Sequence, residues 1–163
     1  MKKLIVVCVL AILIVPKISF GQAYDFSLDD LNGNTVTLND LLKKGPVMIS
    51  FWALWCVPCK EEMKYMNDIY NKYKDSGFVY VGMNQDSPKS SAKVKSYIES
   101  KGYDFIVLLD KDAHVFENYG GQNLPFSVLI NQQGDIVKTF TGYVSGDESK
   151  IEKDIVELLH ESK

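Results

Sequence analysis

Residues 47–59 read VMISFWALWCVPC, an apolar run that leads directly into two cysteines separated by two residues. The first six positions form a near-continuous apolar segment of strand length, which is typical of a β-strand buried on both faces. The following segment, residues 56–74, has the apolar spacing of a helix and ends before Ser76-Gly77. The sequence therefore predicts a buried strand whose carboxyl end leads to a Cys-x-x-Cys motif at the start of a helix.

The rest of the chain alternates between predicted strands and helices. The predicted strands cover residues 36–38, 78–83, 105–109, 125–130 and 136–140. The predicted helices cover residues 39–42, with Asn39 as the cap, and residues 87–99, 113–119 and 147–159. This order combines parallel crossovers with a terminal hairpin, which indicates an α/β fold with a mixed central sheet and helices on both faces.

The Cys-x-x-Cys motif has three chemical interpretations. Half of a zinc site would need a second pair of ligands, and the chain's two histidines, His114 and His160, are far apart in sequence. A structural disulfide across so tight a loop adds little to stability. A redox-active dithiol at a strand–helix junction is the interpretation that the pattern favours.

The position of each cysteine on the helix predicts its part in the chemistry. Cys56 falls at the N-terminal cap, where free backbone N–H groups and the helix dipole favour a thiolate. It is therefore expected to be the exposed, attacking sulfur. On a helical projection Cys59 lies in the apolar stripe that Met63 and Met66 continue. It is expected to be the partly buried sulfur that resolves a mixed disulfide.

Glu62 falls inside the same apolar stripe, whereas Lys60 and Glu61 project outward. A buried carboxylate is costly without a partner or a task, and burial raises its pKa. One turn beyond Cys59, Glu62 is placed to accept the proton of that thiol as a general base. The alternative is a glutamate at the edge of the stripe whose carboxylate reaches water.

The residues before and between the cysteines are apolar. Trp52 is expected in the core, and Trp55 is expected on the surface around the attacking cysteine. Pro58 lies in the first helical turn, where a missing N–H is tolerated. Val57 and Pro58 carry no charge and neither is a histidine, so they add nothing to the stabilisation of a thiolate that the helix terminus provides. A low, reducing potential is therefore expected.

The amino terminus has the pattern of an export signal. Two lysines precede an apolar run over residues 4–15, and small residues follow it. The run is too short for a stable membrane span, so residues 1–21 are interpreted as a signal peptide cleaved before Gln22 or two residues later. An uncleaved anchor is the alternative. Residues 22–163 then form one domain, which is expected to work outside the cytoplasm, in the periplasm.

Composition and cysteine count agree with this division. Cys8 lies in the leader, so the mature chain keeps two cysteines, Cys56 and Cys59. The 163-residue chain has no arginine and a formal net charge of −3, and loss of the three leader lysines makes the mature charge −6. Arginine forks and basic surfaces recognise nucleic acids, so a nucleic-acid partner is excluded.

The motif residues resemble a known family. The segment over residues 51–62 is similar to the active-site segment of the TlpA/ResA-like thioredoxin-fold proteins. The similarity extends over most of residues 25–160. It includes four further landmarks, which are Asp25-Phe26-Ser27-Leu28, Leu108-Leu109-Asp110, Leu124-Pro125, and Gly134 in the predicted hairpin.

The resemblance implies a thioredoxin fold extended by an N-terminal hairpin and an inserted αβ element. It also implies that Cys56 is the nucleophile, that Cys59 is the resolving thiol, and that Glu62 is a functional acid beside them. Pro125, directly after Leu124, would be a cis-proline that faces the disulfide and presents backbone groups to the substrate.

The same resemblance implies a biological role. Family members reduce disulfides outside the cytoplasm, often in apocytochrome c before haem attachment, with electrons from a membrane thiol donor of the DsbD/CcdA type. The expected partners are disulfide-bearing exported proteins and such a donor. We expect a monomer with no metal and no cofactor beyond a redox-active Cys56–Cys59 disulfide. Ser50 stands where thioredoxin carries a buried aspartate, a departure that favours proton handling by Glu62.

Three other functions compete with this one. Copper chaperones of the same superfamily use cysteines spaced by three residues and a distant histidine, whereas the spacing here is two and His114 is the candidate histidine. A thiol peroxidase of the peroxiredoxin type needs a threonine where this chain has Ala53. A binding module with a vestigial site would not need an intact dithiol together with Glu62.

Overall fold

Within residues 21–161, which the computed structural model of the protein describes, strands and helices follow the predicted order, preceded by one strand over residues 27–29 that the sequence pattern did not predict. The strands are β1 (Ser27–Asp29), β2 (Thr35–Thr37), β3 (Val47–Trp52), β4 (Val79–Asn84), β5 (Ile106–Leu109), β6 (Phe126–Ile130) and β7 (Ile136–Thr141). The α-helices are α1 (Leu38–Leu42), α2 (Val57–Tyr73), α3 (Ser91–Lys101), α4 (His114–Asn118) and α5 (Asp147–Glu161). The predicted signal peptide, apart from Gly21, lies outside the described residues. Among the helices of residues 21–161, none combines the length and the apolar character needed to cross a lipid bilayer.

The central sheet has five strands in the order β5-β4-β3-β6-β7. β3 runs parallel to β4 and β4 runs parallel to β5, whereas β6 runs antiparallel to both β3 and β7. β1 and β2 form a separate antiparallel hairpin, and the α3–β5 unit is inserted between β4 and α4. The predicted α/β class with a mixed central sheet is confirmed.

Helices cover both faces of the sheet because the central strand β3 is apolar on both. Successive side chains of a strand point to opposite faces. Met48 and Trp52 therefore pack toward α2, α3 and α5, whereas Ile49 and Phe51 pack toward α1, α4 and the β1–β2 hairpin. All six residues of β3 are buried, and this double burial explains the near-continuous apolar run of the sequence.

Two chain segments converge at one end of the sheet. In the antiparallel pairing of β3 with β6, Phe51 lies opposite Phe126. The carboxyl end of β3, which leads to the cysteines, therefore lies beside the amino end of β6, which follows Pro125. The fold brings the Cys-x-x-Cys motif and the Leu124-Pro125 segment to the same edge of the sheet.

Two helix starts differ from the prediction. α1 begins at Leu38, and its cap is Thr37, whose Oγ accepts a hydrogen bond from the backbone N–H of Asp40 at 3.2 Å. The extended backbone of Thr37 presents its hydroxyl to the first turn, whereas Asn39 already lies inside the helix and is not the cap. The segment that begins with Pro88 first forms a 3₁₀ turn, and α3 follows it.

Candidate active site

The two cysteines lie at the amino terminus of α2 and are joined by a disulfide, with their Cα atoms 5.3 Å apart. Cys56 is the N-cap, with an extended backbone (φ −82°, ψ 101°), and its sulfur accepts the backbone N–H of Cys59 at 3.3 Å. The first turn contains no acidic residue that would neutralise the positive end of the helix dipole. The site therefore favours negative charge on the Cys56 sulfur.

Both cysteines are buried, so the expectation of an exposed Cys56 is wrong for the disulfide form. Cys59 is 0% exposed, as its place in the apolar stripe predicts, and Cys56 is 4% exposed. The disulfide joins the Cys56 sulfur to a fully buried partner, and Cys56 itself belongs to the core cluster on that face of the sheet, which a helical projection leaves out. The neighbours Trp55 and Val57 are 72% and 70% exposed, so apolar surface borders the approach to the disulfide.

The two tryptophans divide between core and surface as predicted. Trp52 is fully buried, and its ring centroid lies 5.7 Å from that of Tyr97. Trp55 projects from the surface next to Cys56. Pro58 is exposed in the first turn of α2, where its missing N–H interrupts no hydrogen bond of the helix.

The Leu124–Pro125 peptide bond is cis. Pro125 is buried, and its carbonyl accepts the backbone N–H of Gly142 at 2.8 Å, just beyond the end of β7. Leu124 is half-buried, and its own backbone N–H and C=O make no hydrogen bond within residues 21–161. The segment therefore offers a pair of free backbone groups at the edge of the sheet where the disulfide lies.

Glu62 lies one helical turn beyond Cys59 and is 3% exposed. Ser127 Oγ donates a hydrogen bond to Glu62 Oε1 at 2.9 Å, and Ser50 Oγ lies 3.3 Å from the same oxygen. Burial raises the pKa of Glu62 from its usual 4.5 to about 7, although the two hydroxyls act to lower it. The burial of Glu62 shows that the alternative, a carboxylate that reaches water, is wrong. A pKa of about 7 means that the group can gain and lose a proton near neutral pH.

Ser50, Glu62, Tyr80 and Ser127 form a buried polar layer between α2 and the sheet. Ser50 and Ser127 are cross-strand partners on β3 and β6, and their hydroxyl oxygens lie 2.7 Å apart. Burial and then the charge of Glu62 raise the pKa of Tyr80 well above its usual value, and the neighbouring Ser50 acts to lower it. Ser127 was missed from the sequence, where the available signal was one polar residue in the apolar run of β6.

A second hydrogen-bonded group holds the loop between β3 and Cys56. Asp86 Oδ2 accepts the backbone N–H of Leu54 at 2.8 Å and the side-chain amide of Asn84 at 2.8 Å. Asn84 is buried, and its Oδ1 accepts the backbone N–H of Asp86 at 3.1 Å in return. Asp86 was also missed from the sequence, although it anchors the loop that leads to Cys56.

The structure does not bring His114 to the cysteines. α4, which carries His114, packs on the opposite face of the sheet from α2. The Nε2 atom of His114 lies 2.9 Å from the Tyr24 hydroxyl. In the described part of the chain, no group of three or more His, Cys, Asp or Glu side chains is arranged to hold a metal ion. Ala53 is buried and has no hydroxyl to offer a peroxide.

Comparisons with known proteins agree with this geometry. The Redoxin family model matches residues 20–155. The chain is 35% identical to the thiol-disulfide oxidoreductase ResA of Halalkalibacterium halodurans over 138 residues, which cover 85% of this chain and 75% of the relative. It is 39% identical to the ResA of Bacillus subtilis over 122 residues, which cover 75% of this chain and 66% of the relative. The crystal structure of a proposed thiol:disulfide interchange protein DsbE from Chlorobium tepidum matches with a TM-score of 0.80 and 28% identity, over 88% of this chain and 99% of that chain.

Proposed function

The chain belongs to the Redoxin family as a thioredoxin-like thiol-disulfide oxidoreductase, and on this premise we propose that it reduces disulfides of exported proteins outside the cytoplasm. Its mixed five-stranded sheet is a thioredoxin fold. The observation that carries the proposal is the Cys56–Cys59 disulfide at the amino end of α2, with the buried carboxyl of Glu62 one turn beyond it.

In the first step, the reduced form of Cys56 attacks the substrate. Its thiolate, stabilised by the free N–H groups of the first turn of α2, attacks one sulfur of the substrate disulfide. The substrate S–S bond breaks and a mixed disulfide forms between Cys56 and the substrate. The other substrate sulfur leaves as a thiolate and takes up a proton.

In the second step, Cys59 resolves the mixed disulfide. Its thiol is buried and must lose a proton before it attacks, which burial disfavours. We assign the carboxylate of Glu62 as the base that accepts this proton, because a pKa of about 7 lets it bind and release protons at neutral pH. The Cys59 thiolate then attacks the Cys56 sulfur and closes the Cys56–Cys59 disulfide, and the second substrate sulfur leaves as a thiolate that takes up a proton. The substrate has gained two electrons and two protons.

The Leu124-Pro125 segment is the proposed docking strand for the substrate backbone. The free N–H and C=O of Leu124 are available to an extended substrate segment, in the manner of strand addition. The exposed side chain of Trp55 provides apolar surface beside Cys56 for the residues that flank a substrate cysteine. Backbone hydrogen bonds such as those offered by Leu124 use groups that every polypeptide has, so they suit an enzyme with several clients.

The proposed direction of the reaction is reduction. Val57 and Pro58 place no charge beside Cys56, so little beyond the helix terminus stabilises the thiolate, and such a dithiol gives up its electrons readily. A membrane thiol donor of the DsbD/CcdA type would return the two electrons. In this proposal the Cys56–Cys59 disulfide is the redox group that the reaction uses. The protein is proposed to work as a monomer.

The proposed location follows from the leader. Residues 1–21 have the pattern of a signal peptide, which supports a periplasmic location for the domain of residues 22–163, and an uncleaved leader would hold the same domain on the outer side of a membrane. The clients in that compartment are exported proteins that carry disulfides, with apocytochrome c as the leading candidate.

A client trap tests the proposal. In Cys59→Ser the mixed disulfide forms but cannot be resolved, so we expect this variant, expressed in the source organism, to accumulate disulfide-linked complexes with exported proteins. Reductant-sensitive bands on gels and mass spectrometry would identify the clients. Cys56→Ser is the matched control, and we expect it to trap nothing and to lose insulin reduction. An empty trap in the native compartment would contradict the exchange mechanism, and stoichiometric copper in protein purified under reducing conditions would favour the metallochaperone instead.

A further inference from the structure

The distances in the buried polar layer fix the order of its hydroxyl donors. A serine hydroxyl has one proton to donate. Ser127 Oγ lies 2.9 Å from Glu62 Oε1, whereas Ser50 Oγ lies 2.7 Å from Ser127 Oγ and 3.3 Å from Glu62 Oε1. If Ser127 donated to Ser50, Glu62 would keep only the longer contact. Both short contacts are satisfied when Ser50 donates to Ser127 and Ser127 donates to Glu62.

The two oxygens of Glu62 are unequal as a result. Both serines lie near Oε1, whereas Oε2 makes no hydrogen bond within residues 21–161. The register of β3 and β6 fixes the two serines opposite each other, so Oε1 is held from a rigid surface. A proton added to Oε1 would make that oxygen a poorer acceptor for the Ser127 hydroxyl, whereas a proton added to Oε2 leaves Oε1 as the carbonyl oxygen that accepts it.

We propose that Ser127, backed by Ser50, is a positioning residue that holds Oε1 of Glu62, so that Oε2 is the oxygen that exchanges the proton of Cys59. This inference rests on the proposed role of Glu62 as the acid–base group of the dithiol. Ser127 acts through Glu62 and takes no part in the bonds that form and break at sulfur.

Few other groups titrate beside Glu62. Tyr80 faces it from β4, Cys59 belongs to its own helix, and β3 and β6 present the two serines. In the described part of the chain, no charged side chain shifts the pKa of Glu62. The Ser127 hydroxyl donates to the charged carboxylate, and it therefore lowers the pKa of Glu62 against the larger effect of burial.

Titration of Glu62 itself is the first readout. In protein labelled with ¹³C at glutamate carboxyls, the Glu62 signal is identified by its absence in Glu62→Gln. We expect Ser127→Ala to raise the pKa of Glu62 by about one unit, which corresponds to the loss of one hydrogen bond to a charged group. Ser127→Thr keeps the hydroxyl and is expected to restore the wild-type titration. Ser50→Ala is expected to move it in the same direction by less.

The rate at which substrate is released from the mixed disulfide is the second readout. We expect the midpoint of its pH profile to rise together with the pKa of Glu62 in Ser127→Ala and to return in Ser127→Thr. If Ser127→Ala titrates like the wild type while Glu62→Gln removes the pH dependence, the positioning role is wrong and the proposed function stands. If Glu62→Gln leaves the pH profile unchanged, the role of Glu62 is wrong and the inference falls with it. Should Ser127→Ala fail to fold by circular dichroism, Ser50→Ala decides, and an unshifted titration there overturns the proposal.

Discussion

Two buried carboxylates show how differently this fold uses a negative charge. Asp110, directly after β5, is fully buried, and both of its oxygens accept N–H donors. Its Oδ1 accepts the backbone of Val115 at 3.1 Å, and its Oδ2 accepts the backbone of Phe116 at 2.9 Å and the side chain of Gln85 at 3.0 Å. Glu62 is almost as buried, but its donors are hydroxyls gathered on a single oxygen.

The difference fits a structural role for Asp110 and the proposed acid–base role of Glu62. The backbone donors of Asp110 belong to the start of α4, so its charge meets hydrogen bonds and the positive end of a helix together. Glu62 lies within the apolar stripe of α2, and burial raises its pKa to about 7. Donors on both oxygens fix a structure, whereas one oxygen without a donor leaves a place for a proton.

Removal of the Asp110 carboxylate is expected to have the largest effect on stability. Asp110→Ala leaves the N–H groups of Val115 and Phe116 and the amide of Gln85 without their acceptor in the interior. Each unsatisfied buried donor costs about 1–3 kcal/mol, so we expect the free energy of unfolding to fall by about 4 kcal/mol. Urea denaturation followed by tryptophan fluorescence measures this.

The matched control for that variant is Asp110→Asn, which keeps one oxygen acceptor and is expected to lose less stability. Disulfide exchange per folded molecule is expected to survive in both variants, because Asp110 lies outside the dithiol site. A stable Asp110→Ala protein would erase the distinction between the two carboxylates.

Glu62→Gln is expected to stabilise the protein, and to do so more at high pH. The pKa of Glu62 is raised in the folded state, from its usual 4.5 to about 7, so its favourable contribution is complete at low pH and is lost as the pH rises through about 7. Glutamine does not titrate and escapes this loss. The free energy of unfolding of the oxidised variant is therefore expected to exceed that of the wild type by about 3 kcal/mol more at about pH 8 than at about pH 4.5.

Urea denaturation at both pH values, under oxidising conditions, measures this difference. The variant should at the same time release substrate from the mixed disulfide more slowly, because Cys59 loses its proposed base. Equal stability differences at the two pH values would place Glu62 with Asp110 among the structural carboxylates.

Asp86 provides an intermediate case, because its carboxylate is half-buried and holds a loop. Asp86→Ala removes the acceptor of the Leu54 N–H and of the Asn84 amide, and we expect a loss of about 2 kcal/mol in the free energy of unfolding. Because the loop presents Cys56, insulin reduction is also expected to slow several-fold. Asp86→Asn, which keeps a side-chain oxygen, is the control. Unchanged reduction in Asp86→Ala would show that the anchor serves stability alone.

The elements nearest the Cys-x-x-Cys motif were predictable because their buried positions are apolar and recur with the spacing of a strand or a helix. β3 spans the predicted residues 47–52, and α2 begins one residue after Cys56, which is its cap. The apolar stripe of α2 was confirmed at its buried members, and with it the burial of Cys59 and Glu62. Period and capping are local properties, so a single sequence carries them.

The supporting residues were not predictable because their contacts join segments far apart in the chain. Ser127 meets Ser50 only through the register of β3 and β6, and Asp86 meets Leu54 only when β4 lies beside β3. The cis bond before Pro125 was implied by the family resemblance and by nothing in the local residues. Cys56 is buried in a core cluster formed by several elements, which a projection of a single helix does not contain.

The smallest effect is expected at Thr37, a helix cap near the surface that contrasts with the buried carboxylate of Asp110 at the start of α4. The Thr37 hydroxyl accepts the backbone N–H of Asp40, and its loss in Thr37→Ala is expected to cost about 1 kcal/mol, since water can replace part of the hydrogen bond. Asn39→Ala is the matched control, and we expect it to change the free energy of unfolding by less than about 0.5 kcal/mol, because Asn39 is exposed and does not cap the helix. Urea denaturation of the two variants compares them directly. A larger loss of stability for Asn39→Ala than for Thr37→Ala would show that Asn39 is the cap, as the sequence suggested. A loss at Thr37 as large as that of Asp110→Ala would show that burial does not set the strength of hydrogen bonds at a helix start in this fold.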